Sequence, residues 1–305
     1  MSHHHGRFFK HEDFEFMTEI ALGATYHRGA DVGECLATAA LIKDGDAESW
    51  FVEWSALGDR VAGIAREAEA AGHLRSAADA WLRAATYLDT ATAFLDSTKD
   101  PDRMQPAWEH HRDAWDGFVR TAPHVEPVSI PYEGTELEGW VFRADTGTAP
   151  RPLLILNNGS DGPASAMWMQ GAAGGTARGY DCLSFDGPGQ GEGQYDFAIR
   201  GDYEVPVKAV IDYVETRSDL AAKRIGMWGV SLGGYYAPRA AAFEKRIKAC
   251  IALGGPFNWG ANWDNLPALT REAFTARSHA KSEQEARENA NTLSLEGIAQ
   301  NITCP

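Results

Sequence analysis

Up to about residue 122, apolar positions recur at steps near three and four, and alternating apolar and polar runs are almost absent. In GHLRSAADAWLRAATYLDTATAFL the stripe runs through Leu74, Ala77, Ala78, Trp81, Ala85, Leu88, Ala91, Ala93 and Leu95. A period near 3.6 predicts an all-helical module with Trp81, Trp108 and Trp115 in its core. No period repeats with matching residues, so a solenoid is not expected. Pro123 and Pro127 in TAPHVEPV break the pattern, and strands then alternate with helices. VSIPYEGTELEGWVFRAD predicts a hairpin turning at Glu133-Gly134, and RPLLILNNG a buried strand. Further strands are expected at YDCLSFD, RIGMWG and RIKACIALGG, with helices over about 165–178, 202–216 and 232–243. Short apolar strands separated by helices imply parallel pairing with helices on both faces. The expected class is therefore α/β: a mostly parallel sheet opened by an antiparallel hairpin, at 126–305, preceded by an all-helical N-terminal, cap-like domain at 1–125.

Composition narrows the function. The 305 residues include 43 acidic and 28 basic side chains, a formal charge of −15, and the acidity is spread over both parts. A polyanion needs a basic footprint, so nucleic acid is not an expected partner. The longest apolar runs, such as PLLIL at 152–156, are far too short to cross a bilayer, so no membrane association is expected. Cys35, Cys182, Cys250 and Cys304 have no metal-ligand or redox spacing and sit in or beside apolar segments. They read as buried, reduced thiols of a cytoplasmic protein. MSHHHGRFFKHEDFEF lacks the pattern of an export signal, and His3, His4 and His5 carry no inference.

One pentapeptide carries chemistry. Gly229-Val230-Ser231-Leu232-Gly233 lies where a predicted strand becomes a predicted helix, the context that gives a G-x-S-x-G match its meaning. A sharp turn there strains the serine backbone, and side chains two residues before and after it would collide with neighbouring backbone. Glycine at both places removes the collision and leaves the Ser231 hydroxyl exposed at the positive end of the following helix. An oxyanion hole could draw one N–H from Leu232 and a second from NNGSDGP at 157–163, where Ser160 is chosen and Gly159 and Asp161 are substitutes. The glycine loop FDGPGQGEGQ at 185–194 fails the dinucleotide spacing, since Glu192 stands where the third glycine is needed. There is no phosphate-binding G-x-x-x-x-G-K and no H-E-x-x-H, and His110 and His111 cannot share one helix face. No cofactor and no metal is expected.

NNGSDGP, FDGPGQGE, GDYE at 201–204, GVSLGGYYA and ACIALGGPFNW together resemble the α/β-hydrolase branch that includes 2,6-dihydroxypseudooxynicotine hydrolase, the fungal polyketide-shortening hydrolases and the fermentation-respiration switch protein. The resemblance runs from about 130 to the end, and the helical N-terminal module suits it. It implies a Ser-His-Asp enzyme whose acid and histidine follow the serine. It also implies cleavage of a carbon–carbon bond beside a ketone, or of an acyl bond, in a small aromatic or polyketide-like substrate through an acyl-enzyme. A carboxylesterase, thioesterase or peptidase with the same machinery is the nearest alternative, and a non-catalytic regulatory binding protein is another. An insertion over about 256–297 would close over the site, with Phe257, Trp259 and Trp263 either lining an aromatic pocket or packing the lid. The expected partner is a small molecule bearing a ketone or aromatic ring, and a homodimer is allowed. After Ser231 the sequence holds one histidine, His279, in a segment that reads as a charged amphipathic helix. It is expected at the surface, and the acid and base are expected beyond Pro305. That makes the chain a portion of a longer hydrolase, or else a short form without turnover.

Overall fold

The computed structural model describes residues 7–145, 147, 149–160 and 162–305, so His3, His4, His5 and Asp161 lie outside the described residues. Contacts divide the chain into two compact units at Pro123/His124.

The first unit is helical: α1 (Glu12–Gly23), α2 (Val32–Ala39), α3 (Ala47–Ala70), α4 (Leu74–Thr92) and α5 (Met104–Thr121). Asp31 caps α2 by accepting from the Glu34 N–H, and Asp46 caps α3 through the Glu48 and Ser49 N–H groups. Most of the periodic stripe becomes the core, with Trp50, Trp54, Val61, Ala77, Trp81, Ala85, Leu88, Trp108 and Trp115 all buried, whereas Leu74 at the start of α4 is 54% exposed. The helices approach closely where a glycine stands opposite a large side chain. A Cβ on Gly117 would lie 2.4 Å from the Trp81 ring. His111 is 2% exposed, and its Nδ1 lies 2.9 Å from the Ala85 carbonyl, which makes that nitrogen the N–H donor. Burial pulls its pKa down to about 4.

The second unit is built on one six-stranded sheet ordered β1-β2-β4-β3-β5-β6. Its strands are β1 (Val125–Tyr132), β2 (Thr135–Phe142), β3 (Leu153–Asn157), β4 (Asp181–Phe185), β5 (Ile225–Val230) and β6 (Ile247–Leu253). The β1–β2 and β2–β4 pairs are antiparallel and the rest parallel. Glu133 and Gly134, with φ of 45° and 85°, make the hairpin turn, whose twist matches that of the flanking strands. The helices are α6 (Ala173–Thr176), α7 (Gly193–Asp196), α8 (Glu204–Thr216), α9 (Gly233–Phe243), α10 (Ala268–Arg277) and α11 (Glu283–Asn291). Val207, Val210, Ile211 and Val214 of α8 join Tyr235, Tyr236 and Ala240 of α9 in the core against the sheet. Arg143 pairs with Glu126, Asp181 and Asp219, and Arg217 with Glu126 and Asp219, tying strand ends to the loop before β5.

Two expectations change. The helix over 165–178 is broken into a 3-10 turn at Ala164–Ala166, a wide turn at Trp168–Ala172 and the short α6. Gly171, Gly174 and Gly175 weaken regular helix there and let the segment press on the sheet, where a Cβ on Gly175 would come 2.6 Å from Cys182 Sγ. The charged segment after residue 270 is two helices. Ser282 caps α11 by accepting from the Glu285 N–H, and His279 ends the preceding turn with φ 53°.

The cysteines also divide. Cys35 and Cys182 are buried, whereas Cys250 and Cys304 are half-buried, because β6 is less covered than the central strands. Burial pushes the Cys35, Cys182 and Cys250 thiols up to about 12, so they stay protonated. Among the described residues no helix is long and apolar enough to cross a membrane, and no group of His, Cys, Asp and Glu could hold a metal ion.

Candidate active site

Strand β5 delivers the chain to Ser231, which turns it into α9. The serine has φ 55°, a left-handed conformation that costs a non-glycine residue about 1–2 kcal/mol. Its N–H donates to the Leu253 carbonyl at 2.9 Å, and its carbonyl accepts from the Gly234 N–H at 2.8 Å. The turn is thus held from both sides. The flanking glycines are forced by space: a Cβ on Gly229 would lie 1.8 Å from the Gly233 oxygen, and one on Gly233 would lie 2.4 Å from the Asn157 oxygen. Each neighbour is backbone and cannot swing away. Ser231 is exposed, and among the described residues its hydroxyl has no hydrogen-bond partner.

Leu232 follows as the residue before the first turn of α9 and is fully buried. Its N–H is not donated to another described group, and it points from the positive end of the helix. The loop after β3 lies directly against the serine. A Cβ on Gly159 would sit 2.8 Å from Ser231 Cβ, 3.0 Å from its Oγ and 3.6 Å from the Leu232 nitrogen. Of the three residues considered for the second donor, Gly159 is already committed, since its N–H donates to Asn158 Oδ1 at 2.7 Å. Asp161 lies outside the described residues. The Ser160 N–H is not donated to a described acceptor, and Ser160 is buried. The loop is braced at its far end by Asn158 Nδ2, which donates to the Pro163 carbonyl at 2.8 Å, and by Asp186 Oδ1, which accepts the Ala164 N–H at 2.6 Å.

Three buried side chains behind this loop were not singled out from the sequence: Gln190, Tyr203 and Asn157. Gln190 Nε2 donates to the Asn158 carbonyl at 2.6 Å and the Gly159 carbonyl at 2.8 Å. Gln190 stands in the very glycine loop that the dinucleotide test set aside. A polar residue fixed between glycines, on the loop after the neighbouring strand, was the available signal.

The insertion after β6 is closed at its stem by two backbone bonds, Trp259 N–H to the Leu293 carbonyl and Leu295 N–H to the Phe257 carbonyl, both 2.9 Å. Inside it, Trp259 stacks on Phe274 at 5.8 Å between ring centroids, and Trp263, 2% exposed, meets the same ring edge-on at 5.7 Å. Those two rings fill the insertion's interior. Phe257 is 55% exposed. His279 is exposed, and its Nε2 lies 2.7 Å from the Gln194 carbonyl rather than on the Ser231 hydroxyl. A cavity of about 480 Å³ lies between the β1–β2 hairpin and the loop after β4, against Val128, Leu137, Glu138, Asp186, Glu192 and Phe197. No described residue of the 157–163 loop or of the Ser231 turn lines it.

Residues 152–277 match the family described as alpha/beta hydrolase fold. The chain is 37% identical to the 20-hydroxy-prefusarin hydrolase FUS2 of Gibberella moniliformis, over 81% of this chain and 61% of that protein. It is 31% identical to the alpha/beta hydrolase xenA of Xenoacremonium sinensis, over 90% of this chain and 70% of that one. Among solved structures, 2,6-dihydroxy-pseudo-oxynicotine hydrolase superimposes with a TM-score of 0.82 at 26% identity, over 93% of this chain and 79% of that chain. This chain therefore spans about three-fifths of the length of the prefusarin hydrolase. A strand-to-helix turn with a left-handed serine, on a sheet of this strand order, agrees with those likenesses, and the chain belongs to the α/β-hydrolase family.

Proposed function

We propose that the chain carries the nucleophile and oxyanion site of a serine hydrolase that attacks a carbonyl carbon in a small aromatic or polyketide-like molecule. One observation carries this reading: the exposed Ser231 hydroxyl stands on a strained turn at the start of α9, with the Gly159–Ser160 loop packed against it. Ser231 Oγ adds to the carbonyl carbon as its proton passes to a base. The carbonyl oxygen becomes negative and is held by the Leu232 and Ser160 N–H groups. Collapse of the adduct expels the leaving group. From a 1,3-diketone this is a ketone enolate, and from an ester an alkoxide; either takes up the proton that the base received from Ser231. Water then hydrolyses the acyl-serine. A serine hydroxyl is a weak nucleophile without a base. Among the described residues no histidine is hydrogen-bonded to Ser231, so the base is assigned to no residue here.

The printed names of the relatives, a prefusarin hydrolase and a pseudo-oxynicotine hydrolase, support a small-molecule substrate. Carbon–carbon cleavage rests on the resemblance alone. The free thiols fit a reducing, cytoplasmic setting. A fluorophosphonate probe applied to a form of the protein that carries the base, followed by peptide mass spectrometry, tests the nucleophile. The adduct is expected on Ser231 and absent from Ser231→Ala. No adduct, under conditions that label a control serine hydrolase, favours a binding protein without turnover. Turnover of a 1,3-diketone against a matched ester then tests the bond class, and cleavage of the ester alone removes the carbon–carbon reading.

A further inference from the structure

We propose that Gln190 is the positioning residue of the oxyanion site: its carboxamide sets the plane of the Gly159–Ser160 peptide and so aims the Ser160 N–H. This rests on the assignment of Ser231 as nucleophile. The orientation of the carboxamide follows from its partners. Nε2 faces the Asn158 and Gly159 carbonyl oxygens, which can only accept, so both of its hydrogens are used. Oε1 faces the Tyr203 hydroxyl at 2.5 Å and Asn157 Nδ2 at 3.4 Å. The Tyr203 oxygen in turn accepts from Asn157 Nδ2 at 3.0 Å, which leaves its hydrogen for Gln190. Flipping the carboxamide would set its oxygen against two carbonyl oxygens, so the network admits one arrangement.

The consequence lies in the planarity of the peptide. In a trans peptide the C=O of one residue and the N–H of the next point in opposite directions. With the Gly159 carbonyl pulled toward Gln190, the Ser160 N–H is turned away from it, on a loop whose Gly159 abuts Ser231. Gln190, Tyr203 and Asn157 are all buried, so water cannot easily replace these bonds. Tyr203 is kept neutral by burial, which raises its pKa well above the usual tyrosine range. Its ring stacks on Tyr236 of α9 with 3.6 Å between centroids and 11° between planes. The helix that begins beside the nucleophile and the loop that carries the second donor are therefore registered through one tyrosine. A Cβ on Gly187 would fall 2.1 Å from the Tyr203 hydroxyl, so a glycine at 187 leaves room for it.

Gln190→Met keeps the length of the side chain and removes the hydrogen bonds of the carboxamide; Tyr203→Phe removes one hydroxyl and is the milder variant. Hydrogen–deuterium exchange of the unmodified chain and both variants gives the readout. Faster exchange is expected in peptides covering 156–165, about tenfold in Gln190→Met and less in Tyr203→Phe, with β5 and α9 unchanged. Unchanged exchange at 156–165, or an equal rise throughout the second unit, overturns the positioning role whether or not Ser231 reacts. With p-nitrophenyl butyrate and a form of the protein that carries the base, kcat is expected to fall about 10- to 100-fold in Gln190→Met with KM nearly constant, since a misaimed donor acts on the transition state. A rise in KM at constant kcat also overturns it. Absence of any fluorophosphonate adduct in a form of the protein that carries the base refutes the nucleophile instead, and the exchange result still decides whether Gln190 orients the loop.

Discussion

Gly159 and Ser231 touch with no room to spare: a methyl group on Gly159 would lie 2.8 Å from the serine Cβ and 3.0 Å from its Oγ. Gly159 does not have a positive φ, so alanine fits the backbone and only the contact is at issue. Gly159→Ala is expected to cut fluorophosphonate labelling of Ser231 at least about 10-fold, because small misplacements of reacting groups are costly. The urea midpoint should move little. Full labelling in this variant would show that the loop yields and that the close contact has no part in the site.

The strain at Ser231 separates stability from chemistry. Ser231→Gly removes the left-handed penalty and is expected to stabilise the fold by about 1 kcal/mol, while abolishing labelling. Ser231→Ala abolishes labelling without that gain. Equilibrium urea unfolding of the two variants tests the difference, and equal midpoints would mean that the turn relaxes around whatever residue it holds.

His111 makes the helical unit sensitive to acid. The unfolded imidazole takes a proton below about pH 6.5, whereas the buried one waits until about 4. Stability from this residue is complete above pH 6.5 and is lost as the pH falls toward 4, by up to about 3 kcal/mol. His111→Gln keeps a donor for the Ala85 carbonyl and cannot titrate. Its unfolding midpoint should depend less on pH over that interval than that of the unmodified chain, and parallel curves would exclude the effect.

The insertion's aromatic residues should separate into two kinds. Trp263→Ala opens a void beside Phe274 and is expected to cost about 3–5 kcal/mol. Phe257→Ala should change stability by less than about 0.5 kcal/mol, since the ring is largely in solvent. A higher KM for an aromatic ester in Phe257→Ala, with kcat held, would place that ring against substrate; unchanged kinetics would remove it from the pocket.

Features written in local pattern were legible in the sequence. The hairpin at Glu133-Gly134, the buried strands and the glycine-framed serine each depend on residues within a few positions of one another. Periodicity overran the break at His279, because a charged stripe continues past it, although Ser282 with Glu285 is a start signal for a new helix. The support of the Gly159–Ser160 loop had only a weak local mark, a glutamine between two glycines. Gln190 acts on residues 31 and 32 positions earlier. Only the strand order, which brings the ends of β3 and β4 side by side, turns that separation into a contact.

The paired stem of the insertion has an evolutionary reading. A segment whose two ends are stitched together at Phe257–Leu295 and Trp259–Leu293 leaves and rejoins the sheet at one place, so its exposed parts can change length without moving β6. The docking points limit that freedom, since the Arg277 carbonyl accepts the Ile199 N–H and the backbone of Thr292 presses on Gly201. Variation in this segment is therefore confined to its exposed parts, while its buried Trp263, Phe274, Ala286 and Ala290 stay bound to the core beside α9.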